Sequence, residues 1–191
     1  MYRLMNVRAV NILLSLLLFL TFGGLRASAA EPHFTEYQLK AAFVYNFAKF
    51  VEWPTQTFPS PDAPITIGVV CERDKEFADA LEQTINNKRI NGRRLAISHI
   101  RSLQDLKGCH IVFICRSEKK LPVAEVLQAV KGQSVLTVGE TDTFMQSGGI
   151  INFMMEGDKV QFEIDNASAK RAGLQISSKL LALAKRRGGG T

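Results

Sequence analysis

Between Ile65 and Val138 the chain alternates short apolar runs with stretches of helical periodicity, and no other feature limits the fold as strongly. Ile65 to Val70 is a nearly continuous run of β-branched residues, the pattern of a strand covered on both faces. Leu95 to Ile100 reads as a second strand, Cys109 to Cys115 as a fully buried third, and Ser134 to Val138 as a fourth. The intervening segments read as helices. Asp74 caps an amphipathic stretch carrying Phe77, Ala80, Leu81 and Ile85, Ser102 to Lys107 forms a short helix, and Pro122 opens a helix that runs to Val130. Strands separated by helices at this rhythm pair in parallel through right-handed crossovers.

The segments on either side differ from this rhythm. Thr35 and Gln38 have the spacing of a capping box. They open a helix that Trp53-Pro54 should end. Leu39, Phe43, Phe47 and Phe50 form its apolar stripe, widened by Val44, Ala48 and Val51, with Gln38, Tyr45, Lys49 and Glu52 opposite. After Gly148 two strands follow each other directly around Gly157-Asp158, a two-residue hairpin loop. That loop pairs Glu156 with Lys159, Met155 with Val160, Met154 with Gln161, Phe153 with Phe162, Asn152 with Glu163 and Ile151 with Ile164. Alternation then puts Ile151, Phe153, Met155, Val160, Phe162 and Ile164 on the core face. Asp165 or Asn166 caps a helix through Arg171, Gly173 stops it, and Ile176 to Arg187 forms a last helix with Leu180, Leu181, Leu183 and Ala184 inward. The expected class is α/β: a mainly parallel sheet with flanking helices, and a C-terminal antiparallel β-hairpin followed by two helices.

Residues 1–30 read as a cleaved signal peptide. Arg3 and Arg8 precede an uncharged apolar stretch from Val10 to Phe22, and Ala27-Ser28-Ala29 supplies the small side chains of a cleavage site after Ala29 or Ala30. An uncleaved anchor is the competing reading, but the apolar core is shorter than the roughly 20 residues a bilayer needs. Residues 31–191 then form a single exported domain, long enough to bury a core without metal or disulfide support. Loss of Arg3, Arg8 and Arg26 leaves 21 basic against 18 acidic residues, a net of +3. Three of the basic residues are Lys185-Arg186-Arg187, so no basic stripe for nucleic acid remains.

Three cysteines in an exported chain allow one bridge. Cys109 and Cys115 bracket one strand, about 20 Å apart, and cannot bond each other. Cys71 and Cys115 both follow strands at the carboxyl edge of the sheet, so a Cys71–Cys115 disulfide with Cys109 a free buried thiol is the expected arrangement. Three reduced, buried thiols are the alternative. No catalytic pattern is present: His33, His99 and His110 are dispersed, and there is no P-loop, dinucleotide fingerprint or Gly-x-Ser-x-Gly elbow. His110, inside an apolar strand, reads as a hydrogen-bonded structural histidine before a pH-sensitive group. Ser147-Gly148-Gly149 offers either backbone amides for an anion or simply a bend into a strand. Glu163, opposite Asn152, reads as a solvated strand carboxylate unless a partner covers it.

Six ordered blocks cover nearly all the mature chain: KAAFVYNFAKFVEWP from Lys40, GRRL from Gly92, CHIVFI from Cys109, VLTV from Val135, GGIINF from Gly148 and FEIDNASAKRAGLQISSKLLALA from Phe162. Together they resemble the YfiR family of periplasmic proteins. The resemblance implies a non-enzymatic periplasmic regulator, without cofactor or metal. Its partner would be the periplasmic sensory domain of an inner-membrane diguanylate cyclase, which it represses, lowering cyclic-di-GMP and biofilm output. An outer-membrane lipoprotein antagonist and a homodimer are implied as well. Motif match places partner-sensitive positions at Ile151, Glu163 and Ala169. Where some members carry a cysteine pair around the Gly-Gly turn this chain has Met145 and Asn152, and where the family's mate of Cys109 lies it has Gly68. The rival reading is a small-ligand-binding sensor module using the crevice at the carboxyl ends of the strands, with Cys71, Arg116 and Gly139 at its mouth.

Overall fold

The computed structural model describes residues 34–71, 75–116 and 118–185. The expected leader, the capping role of Asp74, and Arg186-Arg187 therefore lie outside the described residues.

Thr35 starts helix α1 (Glu36–Phe50) as its spacing requires: the hydroxyl accepts from Gln38 N–H at 3.3 Å, and Gln38 Oε1 accepts from Thr35 N–H at 2.9 Å. The helix stops before Trp53-Pro54. Val51 and Glu52 form strand β1 (Val51–Glu52), paired antiparallel with β9 (Gln175–Ile176), and Ser177 N–H reaches Phe50 O at 2.9 Å. A β-branched residue offered a strand partner leaves the helix. The most buried side of α1 is Lys40, Ala41, Val44, Phe47 and Ala48, rotated from the expected stripe, with Leu39, Phe43 and Phe50 only half-buried.

The remaining strands are β2 (Ile65–Val70), β3 (Arg89–Ile90), β4 (Arg93–His99), β5 (Ile111–Ile114), β6 (Leu136–Gly139), β7 (Ile151–Glu156) and β8 (Lys159–Ile164). They form one sheet in the order β3-β4-β2-β5-β6-β7-β8. Pairing is parallel from β4 across to β7 and antiparallel at both ends. Every pair of the hairpin register deduced from Gly157-Asp158 is present. The chain steps from β2 outward to β4 and then returns to the other side of β2 as β5, so the topological switch lies between β2 and β5.

Helix α2 (Lys75–Ile85) buries Phe77, Ala80, Leu81 and Ile85. With α1 it covers one face of the sheet. There Phe77 stacks on Phe113 with centroids 3.8 Å apart, and Phe47 meets Phe153 and Phe162 at 5.6 and 5.1 Å. Each fully buried aromatic of this kind contributes roughly 1.5–3 kcal/mol by transfer from water. The opposite face is covered by the turn Leu103–Leu106, helix α3 (Val123–Ala129) and Phe144, packed on Val112 and Ile114. Asp165 caps α4 (Asn166–Arg171) by accepting from Ser168 N–H at 3.0 Å, and Gly173 leaves it with φ 73°.

Four expectations change. The short strand β3 was not foreseen; it forms a hairpin with β4 through Asn91 and Gly92, at φ 50° and 81°. Met155, near the turn of the hairpin, is 38% exposed, and Asn152, on the hairpin face expected to meet water or a partner, is buried. The last helix is only α5 (Ser178–Leu183), since Ile176 belongs to β9 and the chain turns off at Ala184. Leu183 consequently points outward at 67% exposure, while Leu180 is buried.

Candidate functional site

The carboxyl edge of the parallel strands is where an open α/β sheet normally receives a ligand. Here side chains fill its centre. Cys71 and Cys115 form a disulfide across the switch between β2 and β5, with Cα atoms 5.2 Å apart. One strand further, Lys40 from α1 forms an ion pair with Glu140, each side chain only 1% exposed, and also contacts Glu36 one turn back. Glu140 accepts from Arg116 N–H at 2.7 Å, and Arg116 Nε donates to Glu140 O at 3.2 Å. The Lys40 ammonium also lies 5.3 Å from the Tyr37 ring and 5.9 Å from the Phe153 ring. A charge this deep survives only when paired. The cluster binds α1 to the ends of β5 and β6.

The third cysteine is no better placed for chemistry. Cys109 is a buried free thiol whose S–H lies 3.7 Å from Asp105 O. Burial first, then the Asp105 carboxylate, pushes its pKa up to about 11, so the thiolate is scarce at neutral pH. Opposite it stands Gly68, where a Cβ would come 2.9 Å from Cys109 Sγ.

Of the positions named for a ligand crevice, only Cys71 lines an open cleft. That cleft measures 500 Å³ and also involves His99, Arg101, Glu118 and Lys120. Arg116 turns toward Glu140, and the space over Gly139 is filled by the Phe144 ring, which would collide with any Cβ there. Gly149 lies against the same ring. The amides of Ser147, Gly148 and Gly149 donate to Thr143, Met145 and Phe144 carbonyls, so this bend offers no anion nest. It is a packing device, with Gly148 at φ 93° turning the chain into β7.

The bend has another consequence. Ser147 and Gly148 face Ser168 and Arg171 of α4, Gln128 of α3 and Lys131 just beyond α3 across a cleft of 560 Å³. No Asp or Glu is among the described residues that line it. Arg171 donates to Ser168 Oγ at 2.7 Å and lies 4.0 Å from Asp165, which itself accepts from Ser168 Oγ at 2.8 Å. Hydrogen bonds from the Ser168 amide and hydroxyl and from the Ala167 amide, together with Arg171, outweigh partial burial and lower the Asp165 pKa.

Two sequence blocks, one from each strand of the hairpin, meet beside its open end: GGIINF supplies Gly148, and FEIDNASA supplies Ser168. The sequence profile of the YfiR/HmsC-like family matches residues 37–185, nearly the whole described chain. The chain belongs to the YfiR/HmsC-like family. Proteins of this family are regulatory and non-catalytic and are associated with the periplasm and cyclic-di-GMP signalling. Among the described residues no helix is long and apolar enough to cross a membrane, and no His, Cys, Asp and Glu group is arranged to hold a metal. A solved structure of a conserved domain protein from Vibrio cholerae O1 biovar El Tor shares the fold, with TM-score 0.54 at 11% identity over 78% of this chain. The match spans 59% of that chain's length.

Within this YfiR/HmsC-like fold the three positions singled out by motif do not form one surface. Ile151 and Ala169 are fully buried, Ile151 beside Val138 and Ile164, and Ala169 in the first turns of α4. Glu163 is half-buried on the opposite sheet face from Ile151, level with Asn152 and Gly139. Thr137, two residues before Gly139, shares that face and lines the cleft. Sequence reasoning missed Lys40 and Glu140 altogether. The available signal was a cation inside the apolar stripe of α1, at the i, i+4, i+7 spacing of Lys40, Val44 and Phe47.

Proposed function

We propose that this protein is a periplasmic repressor that holds the sensory domain of an inner-membrane diguanylate cyclase inactive, lowering cyclic-di-GMP. The observation that carries the reading is the meeting of the GGIINF and FEIDNASA blocks at one cationic, solvent-open cleft, in a family member whose carboxyl edge is filled at its centre by a disulfide and a buried ion pair. A protein that acts by occupying a receptor needs such a surface and no reactive side chain. Lys131 and Arg171 suit an acidic segment of the partner.

In this account Ile151 and Ala169 are buried supports packed in the core on the α1 side of the sheet, and Glu163 is on the hairpin face that Thr137 shares. Substitutions at the two buried positions act through the surface above them. The exposed apolar residues Met155 and Leu183 lie toward the hairpin end, where Lys185 N–H reaches Phe162 O and its ammonium reaches Glu156 at 2.7 Å. Such a patch suits a second copy of the chain, in keeping with a homodimer. An outer-membrane lipoprotein that competes for either surface would relieve repression.

Deletion of the gene should raise cellular cyclic-di-GMP, complementation should lower it again, and Gln128→Trp at the exposed rim of the cleft should fail to complement while remaining folded and exported. Unchanged cyclic-di-GMP on deletion contradicts the reading. The rival, a small-ligand sensor using the cleft beside Cys71, predicts instead that Gln128→Trp complements fully.

A further inference from the structure

At the amino edge of the sheet, on the other side of the molecule from the disulfide, His110 has one ring nitrogen committed and one free. Nδ1 accepts from Thr66 N–H at 3.1 Å, which in a neutral imidazole puts the proton on Nε2. That Nε2–H is fully buried and has no acceptor among the described residues. The residue as a whole is 4% exposed. Buried donors are nearly always matched, so an unmatched one calls for a group not supplied by the chain.

His110 is part of the wall of a cavity of 280 Å³. Its walls include Pro59, Pro64 and Val135 on the apolar side and Thr57, Gln133 and Ser134 on the polar side. No Asp, Glu, Lys or Arg is among the described residues that line it. The rim is held in place. Phe58 stacks on the His110 ring at 4.5 Å, Arg93 stacks on Phe58 at 3.8 Å, and the Arg93 guanidinium donates to Ser60 O and Ala63 O at 2.9 and 2.8 Å. Trp53 Nε1 fixes the strand end by donating to His110 O at 3.2 Å.

We propose that this amino-edge cavity is a binding site for a small uncharged molecule, or an uncharged side chain of a partner, that presents a carbonyl oxygen to His110 Nε2–H with an apolar group against Pro59, Pro64 and Val135. The volume is at the lower end of the range for small-molecule sites. Among the polar groups that line the cavity His110 Nε2–H is the buried donor without an acceptor, which selects an acceptor. The absence of a charged lining group disfavours a carboxylate, whose desolvation nothing there would offset. The loop from Phe58 to Pro64 is already latched by Arg93, so binding requires little ordering. Neither the cleft of the proposed partner surface nor the disulfide edge takes part, and the site stands or fails independently of them.

The test uses the purified, isotopically labelled protein and two probes, N-methylacetamide and acetate, with the His110 ring signals read by NMR. N-methylacetamide should displace the Nε2–H resonance saturably, with a dissociation constant on the order of millimolar, and acetate should bind at least tenfold more weakly. Thr57→Trp, which fills the cavity from its rim without touching His110, should abolish the displacement; Ser134→Trp repeats the test should the first variant fold poorly. A resonance unmoved by N-methylacetamide shows that the cavity holds water only and overturns the proposal. Acetate binding as tightly as the amide overturns the assignment to uncharged ligands.

Discussion

Lys40 on α1 and Glu140 at the end of β6 form a fully buried ion pair between residues one hundred positions apart. It is the only described contact of its kind that links the opening helix to the carboxyl edge of the sheet through charge. The apolar clusters hold the layers together, whereas this pair fixes where along the sheet the helix sits. Removing one partner leaves a buried charge uncompensated. Lys40→Met should therefore cost about 3–5 kcal/mol, measured by denaturant unfolding. Adding Glu140→Gln, which keeps an acceptor for Arg116 N–H, should recover part of that loss.

The Cys71–Cys115 bridge closes a loop with sequence separation 44, for which chain entropy predicts a stabilisation of about 4 kcal/mol, with about 2–4 kcal/mol typical in practice. Replacing both cysteines by serine should lower the unfolding free energy by that amount. Peptide mapping without reductant should find Cys71 linked to Cys115, and Cys109 should react with alkylating reagents only after unfolding.

Gly68 and Cys109 face each other closely enough that the residue at 68 decides the state of the thiol. A methyl group there meets Cys109 Sγ at 2.9 Å and Ile100 at 3.1 Å, so Gly68→Ala should destabilise by about 1–3 kcal/mol through overpacking. Gly68→Cys should instead bond to Cys109 under oxidising conditions. Melting curves with and without reductant separate these outcomes.

Much of this fold was legible from residue pattern alone. The hairpin register followed from Gly157-Asp158 because a two-residue loop leaves one pairing, and parallel pairing followed from strands that alternate with helices. Other elements depended on distant partners. Val51 reads as helix until Ile176 is brought beside it, and Asn152 reads as solvated until Gly139 and the elements packed on that face are assembled. The β3–β4 hairpin was a different failure: Asn91-Gly92 is a strong turn signal, but β3 has only two residues to announce a strand before it. Lys40 was legible as an anomaly in an apolar stripe, but Glu140 was not legible as its partner. The three motif-matched positions were found by resemblance, and two of them are buried supports, which motif matching does not distinguish from contact residues.

His110 gives the protein a pH response. Burial, and secondarily the nearby Arg93 charge, lower its pKa below the ordinary value of 6.5. The unfolded chain then binds the proton more readily than the folded one, so stability falls as pH drops through 6.5 toward the folded value and is unaffected above it. The slope contributed is at most about 1.4 kcal/mol per pH unit. Thermal unfolding between pH 7.5 and 5 should show a steeper loss for the wild type than for His110→Gln; parallel curves would remove His110 as the cause.

The most direct test of the central claim is capture from detergent-solubilised inner membranes with the tagged, folded protein as bait, quantified by mass spectrometry against Gln128→Trp. A diguanylate cyclase with a periplasmic domain should be enriched by the wild type and lost with the variant. Equal cyclase recovery by both proteins, or none by either, would contradict an account in which the cleft between α3, the Ser147-Gly148 bend and α4 does the protein's work.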